Sequence, residues 1–151
     1  MNCIIIDDDA TARLIINQLC EYSDRVSVLK EFSSAIDAIK YLNTNDVDLI
    51  FLDIHMPTFS GFDFIQTLKS PPKIILTTSD KNFALQAFEY ECVVDYLVKP
   101  ITKERFSKSL LKLSHLEENN TTVNQDSKKE AKFIYVSVDR RLVKINIPDI
   151  Y

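Results

Sequence analysis

The amino-acid sequence predicts an α/β domain: a five-stranded parallel sheet with helices on both faces, followed by a short C-terminal β-hairpin tail. Three observations carry that expectation. Short apolar runs without polar alternation, such as Ile4-Ile5-Ile6 and Leu49-Ile50-Phe51-Leu52, are what strands buried on both faces show. These runs alternate with segments of helical periodicity, the pattern of βαβ units with right-handed crossovers. Finally, Asp7 and Asp8, Asp53, Thr78 and Lys99 each stand at or just after the end of an apolar run. The carboxyl ends of strands are where open α/β sheets form ligand crevices.

Taken in order, residues 4–6 form the first strand and a helix follows over about 10–22. Its apolar face is Ala12, Ile15, Ile16, Leu19 and Cys20, at i, i+3, i+4, i+7 and i+8 spacing. Residues 26–32 read as a second strand. Ser33 or Ser34 caps a second helix with Ala35, Ala38, Ile39 and Leu42 on one side. The central strand, 48–53, is bounded by Asp48 and Asp53. A third helix over about 62–69 buries Phe64, Ile65 and Leu68, and Pro71 and Pro72 stop it. Residues 73–78 are a fourth strand, and Ala84, Ala87 and Phe88 give the next segment a helical face. After a fifth strand at 93–98, Ile101 or Thr102 opens a last helix carrying Phe106, Leu110 and Leu113.

Composition narrows the function classes. The 151 residues are 46% hydrophobic and 26% charged, enough for one ordinary domain with a substantial core and an appendage. A formal net charge of -4 argues against non-specific nucleic-acid binding by this chain, and the acidity lies in residues 1–115. Cys3, Cys20 and Cys92 are odd in number, lack metal-ligand spacing and sit among apolar residues, as buried free thiols in a reducing cytosol do. No apolar stretch approaches the roughly 18–20 residues that span a membrane, and the N-terminus lacks the basic flank of a signal peptide. The expected location is cytoplasmic, with no membrane partner.

Composition shifts after His115. Residues 116–132 are polar and read as a linker or as a solvated extension of the last helix. Ile134, Val136 and Val138, then Val143, Ile145 and Ile147, alternate on either side of Asp139-Arg140-Arg141, a hairpin pattern. An isolated hairpin is marginally stable, so residues 133–151 are expected to be the beginning of a second domain.

The strand ends define a chemistry. Two carboxylates from the first strand and one from the third form a site too negative to stand without a cation, and such hard oxygen ligands favour Mg²⁺ or Mn²⁺. Asp53 is then available as a nucleophile toward a phosphoryl group, giving an aspartyl phosphate. Phosphoryl transfer demands positioning and charge compensation above all. Lys99 supplies a compact positive charge and Thr78 a hydroxyl donor. The bond before Pro100 is a candidate cis peptide that aims Lys99 inward.

Over about residues 2–113 these features resemble the response-regulator receiver domain, the phosphoacceptor half of two-component signalling. The resemblance rests on Ile6-Asp7-Asp8-Asp9, on Leu52-Asp53-Ile54-His55-Met56-Pro57 with Gly61, on Thr77-Thr78-Ser79, and on Asp95-Tyr96-Leu97-Val98-Lys99-Pro100. It implies a flavodoxin-like receiver fold over residues 1–115 and a sensor histidine kinase as phosphodonor. Asp53 becomes the phosphoacceptor and Lys99 the phosphate partner. Asp7, Asp8, Asp53 and the backbone carbonyl of His55 become the metal ligands, and Thr78 and Tyr96 the switch pair. Asp9, Ala10 and Ser79 stand where Glu, Pro and Ala are common, and none of these changes removes a reacting group. His55 and Asp80 lie where the family tunes phosphate lifetime.

Residues 133–151 are similar to the opening of a LytTR-type DNA-binding domain, and Asn82-Phe83-Ala84-Leu85-Gln86-Ala87-Phe88 is similar to a segment of receivers joined to such domains, with Phe83 where tyrosine is common. DNA contact is expected only through segments of that domain absent from this chain, and homodimerisation on phosphorylation through the face of the fourth helix, fifth strand and fifth helix.

Plainer readings stand beside these. Asp7 to Asp9 also suit a helix cap, and Thr78 and Tyr96, each alone, an ordinary strand-end hydroxyl and a partly buried aromatic. His55 reads as a solvent-facing loop residue, and Lys128, Lys129, Arg140 and Arg141 as solvated charges. Two other functions remain open. One is a stand-alone receiver acting through protein partners. The other is an aspartyl-phosphate phosphatase like the haloacid-dehalogenase enzymes, which carry an acid two residues after the nucleophile, where this chain has His55.

Overall fold

In the computed structural model the backbone is described for residues 1–125, 133–138 and 141–146, and side chains for residues 1–116. The elements are β1 (Asn2–Ile6), α1 (Ala10–Glu21), β2 (Ser27–Phe32), α2 (Ala35–Leu42), β3 (Leu49–Asp53), α3 (Gly61–Thr67), β4 (Lys73–Thr78), a 3-10 turn (Lys81–Phe83), α4 (Ala84–Ala87), β5 (Val93–Val98), α5 (Lys103–Gln125), β6 (Phe133–Val138) and β7 (Arg141–Asn146). β1 to β5 form one parallel sheet in the order β2-β1-β3-β4-β5, while β6 and β7 pair antiparallel as a separate two-stranded unit. The fold is the one predicted. The chain divides into two compact units, Met1–Leu110 and Leu111–Tyr151. The polar stretch after His115 starts as a continuation of α5. Its remainder at 126–132, Asp139 and Arg140 of the expected hairpin turn, and residues 147–151 lie outside the described residues.

β3 is buried at all five positions, which is why its sequence has no alternation. On one side of the sheet Ile4, Ile6, Ile50, Leu52, Ile74 and Leu76 pack with Ala35 and Ala38 of α2 and Phe64 and Ile65 of α3. On the other, Phe51 stacks on Phe106 of α5 with ring centroids 5.4 Å apart, and Cys3 of β1 meets Cys20 of α1. Burying each such large apolar side chain contributes about 1.5–3 kcal/mol, so the two layers fix the sheet on which the strand ends are displayed.

Local chemistry sets the helix ends. Asp9 caps α1 by accepting from Thr11 N–H, and Ser34, of the two expected serines, caps α2 by accepting from Ile36 N–H. Ser60 and Asp63 form a reciprocal capping box at the start of α3. Two details depart from expectation. Ile15 is exposed, because the buried stripe of α1 is the narrow i, i+4, i+8 set Ala12, Ile16 and Cys20. α3 ends at Thr67, earlier than the prolines require: Thr67 Oγ1 donates to the Phe64 carbonyl at 2.7 Å and Leu68 is already extended. The Lys99–Pro100 bond is cis.

Candidate functional site

Asp7 follows β1 directly and Asp53 ends β3. The cross-strand register pairs Ile6 with Leu52, so the two acids leave the sheet side by side. Both are buried, Asp53 being 3% exposed, and Asp8 at the rim is exposed. One carboxylate oxygen from each of Asp7, Asp8 and Asp53 lies within 4.8 Å of the others. The helix-cap reading of this acidic run belongs to Asp9 alone, whose N–H also donates to Asp7 Oδ1 at 2.9 Å.

Lys99, just past β5, reaches across the sheet edge. Its Nζ is 2.9 Å from Asp7 Oδ2 and 3.6 Å from Asp53 Oδ1. Burial works against its charge, but the hydrogen bond to Asp7 and the neighbouring Asp53 charge outweigh it and hold the ammonium above its ordinary pKa. Asp53 is displaced the other way. Burial, reinforced by the negative charge of Asp7, pushes its carboxyl up to about 7, against the lowering effects of Lys99 and of the His55 N–H. A buried carboxyl with a second acid beside it is stabilised in its charged form by added positive charge. Three convergent oxygen donors and one lysine therefore fit a hard divalent cation.

Thr78 and Tyr96 converge on one residue. Thr78 Oγ1 accepts from Asp80 N–H at 3.1 Å, while the Tyr96 hydroxyl donates to the Asp80 carbonyl and accepts from Phe83 N–H at 3.2 Å. Tyr96 is 7% exposed, its ring turned inward. The Asp80 carboxylate caps the 3-10 turn through Asn82 N–H. Thr78 and Tyr96 are thus joined through the Asp80 peptide, one bonded to its N–H and the other to its carbonyl. His55 is exposed, as expected, yet its ring packs edge-on against Phe83 at 5.0 Å, and its N–H donates to Asp53 Oδ1 at 3.3 Å.

One feature escapes sequence reasoning, and another, Gly61, gains its physical reason. Arg105 of α5 grips the 1%-exposed Asp95 of β5 with both guanidinium nitrogens, at 2.7 and 2.8 Å, and also donates to the Tyr96 carbonyl at 3.1 Å. Ser109 donates to the same carboxylate. This clamp fastens the first turns of α5 to the strand that carries Tyr96. Gly61 packs so closely on the loop after β3 that a Cβ there would lie 2.6 Å from the Asp53 carbonyl oxygen.

A five-stranded parallel sheet that gathers three acids and a lysine at its carboxyl edge defines an α/β domain of receiver type. The sequence matches the description "Response regulator receiver domain" over residues 3–111, and the chain belongs to that family. The response regulatory domain of protein MrkE from Klebsiella pneumoniae superposes with a TM-score of 0.71 at 32% identity, covering 79% of this chain and 99% of that one. Among curated relatives, the sensory transduction protein LytR of Staphylococcus epidermidis is 33% identical over 93% of this chain and 56% of its own length. LytT of Bacillus anthracis is 29% identical over 99% of this chain and 64% of its own. The chain thus spans less than two thirds of the length of these relatives, which are regulators of LytT and LytR type. Among the described residues no helix is long and apolar enough to cross a membrane.

Proposed function

We propose that this chain is the phosphoacceptor part of a two-component response regulator, with Asp53 receiving a phosphoryl group from a sensor histidine kinase. The observation that carries this reading is the convergence of the Asp7, Asp8 and Asp53 carboxylates within 4.8 Å under the ammonium of Lys99. Asp7, Asp8, Asp53 and the His55 carbonyl would hold Mg²⁺ or Mn²⁺, which when bound supplies charge neutralisation for the phosphoryl oxygens.

The residues of the chain do the rest. A carboxylate oxygen of Asp53 attacks phosphorus, the bond from phosphorus to the donor breaks, and the electron pair leaves with the donor. Lys99 compensates the charge brought in and holds Asp53 in place. The Thr78 hydroxyl accepts from Asp80 N–H, which leaves its own proton for a phosphoryl oxygen. Thr78 and Asp80 then shift together, and Tyr96, bonded to the Asp80 carbonyl, follows. The response is a repacking of the segment from the 3-10 turn to β5, a local event with a wider readout.

That face would pair two copies of the chain on phosphorylation and so bring together two DNA-binding domains of LytTR type in a longer cytoplasmic protein. The kinship with LytT and LytR regulators supports this output. The chain acts as a signalling domain with only self-catalysed phosphorylation and dephosphorylation. Turnover of an external phosphate ester is disfavoured, because position 55 holds a histidine whose ring packs on Phe83, where the haloacid-dehalogenase enzymes carry a carboxylic acid.

Intact-mass spectrometry after incubation with Mg²⁺ and acetyl phosphate tests the assignment. A single phosphoryl adduct on the wild type and none on Asp53→Asn is the expected result. No adduct on the wild type, or continuous phosphate release at enzyme-like rates, overturns it.

A further inference from the structure

Thr77 presents an anomaly beside the site. It lies on β4 at 0% exposure, and among the described residues its Oγ1 has no hydrogen-bond partner. Buried hydroxyls are nearly always paired, since an unpaired one loses its bonds to water without replacement. Valine has the same shape and carries no such penalty, so packing alone does not explain a threonine here.

The sheet shows what the hydroxyl stands next to. Thr77 is the direct cross-strand partner of Asp53 in the parallel pairing of β3 with β4, and direct partners project from the same face. Its partner on β5 is Leu97, two residues before Lys99 and on the same face again. The Thr77 carbonyl accepts from Ile54 N–H at 2.9 Å, which ties its backbone to the residue that follows Asp53. The hydroxyl is therefore buried between the strand ends that carry the nucleophile and the lysine. In the resting arrangement the Lys99 ammonium faces Asp53 Oδ1 at 3.6 Å and the His55 N–H donates to the same oxygen.

We propose that Thr77 is a positioning residue for Asp53. By rotation about its Cα–Cβ bond its hydroxyl donates to the Asp53 oxygen that does not carry the phosphoryl group, fixing the side chain in the orientation that the acyl phosphate requires. In the transfer from acetyl phosphate, a bond forms between phosphorus and one Asp53 oxygen. The bond from phosphorus to the acetate oxygen breaks, and its electron pair departs with acetate. The second Asp53 oxygen becomes a carbonyl oxygen, and as Lys99 turns toward the phosphoryl oxygens this oxygen takes up the Thr77 hydrogen bond. The inference rests on the phosphoacceptor reading of Asp53.

The test follows the phosphoryl adduct over time in the whole chain, with Mg²⁺ and acetyl phosphate, for the wild type, Thr77→Val, Thr77→Ser and Asp53→Asn. Thermal unfolding of each variant is measured alongside. One lost hydrogen bond in the reacting arrangement corresponds to a rate about five-fold lower. Thr77→Val is expected to form adduct about that much more slowly while melting at or above the wild-type temperature. Thr77→Ser is expected to stay within about two-fold of the wild type, since it keeps the hydroxyl. Thr77→Ala serves as a second apolar variant should valine disturb folding. Adduct formation at the wild-type rate in a folded Thr77→Val or Thr77→Ala chain overturns the inference and leaves the phosphoacceptor reading intact. Absence of adduct on the wild type overturns both.

Discussion

The Lys99 ammonium sits 2.9 Å from Asp7 but 3.6 Å from Asp53, so in the resting site the lysine is bonded to a proposed metal ligand and only faces the proposed nucleophile. One positive charge serves a cluster of three acids, and Asp53 is left with too little compensation. Burial first, and the Asp7 charge second, therefore raise the Asp53 carboxyl to about 7 even beside an ammonium.

A pH dependence follows. The Asp53 carboxyl rises from 3.8 to about 7 on folding, so the folded domain binds its proton more tightly than the unfolded chain does. Between these values the native state holds more protons, and stability falls as pH rises through the window. A shift of this size corresponds to at most about 4 kcal/mol. Without divalent cations, the melting temperature is expected to fall between pH 5 and pH 8. Asp53→Asn is expected to flatten that slope and to exceed the wild type at pH 8, and millimolar Mg²⁺ to raise the wild type more than the variant. Parallel slopes for the two proteins would refute this account of the site.

Gly61 is the single glycine in the chain, and its value lies in close approach. Its φ is not positive, but an added Cβ would lie 2.6 Å from the Asp53 carbonyl oxygen and 3.0 Å from Ile54 Cα. Both atoms belong to backbone and cannot swing aside. Gly61→Ala is expected to cost roughly 1–3 kcal/mol, read from denaturant unfolding. Adduct formation on Asp53 should also slow, because the displaced peptide is the one that carries the proposed nucleophile. A variant with wild-type stability and wild-type kinetics would show that the loop gives way freely.

How much of this was legible in the sequence depends on how local the signal is. Asp7, Asp8, Asp53, Thr78 and Lys99 could be found because strands buried on both faces end where the apolar run ends, and the next polar residue marks the sheet edge. The bounds of β4 and β5 agree with expectation for the same reason. Asp95, in contrast, sits inside β5 with its ring of partners supplied by Arg105 and Ser109, ten and fourteen residues on. Spacing along the chain says nothing about which helix residue meets which strand residue across a layer. Thr77 was hidden for a different reason: a threonine in a strand is ordinary, and only its lack of a partner makes it notable. Ile15 was misplaced because an amphipathic period does not reveal how wide the buried stripe is.

Thr58 offers a stabilising change. It lies in the loop between β3 and α3 at φ 71°, a left-handed conformation that a β-branched residue adopts at a cost. It is exposed, and the loop around it positions His55 and Gly61. Thr58→Asn or Thr58→Gly is expected to raise stability by about 1 kcal/mol without altering the extent of Asp53 phosphorylation, as chemical denaturation and intact mass can show. A loss of stability in both variants would indicate that the threonine side chain holds the turn.

The clamp between α5 and β5 supplies the sharpest stability test. Asp95 is 1% exposed, and its carboxylate accepts from Arg105 twice, from Ser109 and from Tyr96 N–H. Removing the guanidinium takes away the bidentate cation from a buried negative charge and leaves the Ser109 and Tyr96 donors in place. Because the Arg105 side chain is itself 37% exposed, solvent softens the loss, and Arg105→Met is expected to cost roughly 2–4 kcal/mol, somewhat less than the full penalty for breaking a buried pair. Replacing the acid as well, in Asp95→Leu with Arg105→Met, removes the stranded charge and should recover much of that loss, since a buried ion pair is close to neutral against an apolar pair of similar size. The same arginine donates to the Tyr96 carbonyl, so the single variant also frees the backbone of the proposed switch residue. Denaturant unfolding of the two singles and the double forms the cycle. If the double variant is no more stable than Arg105→Met, the cost lies in lost packing at the start of α5 and the charge argument fails.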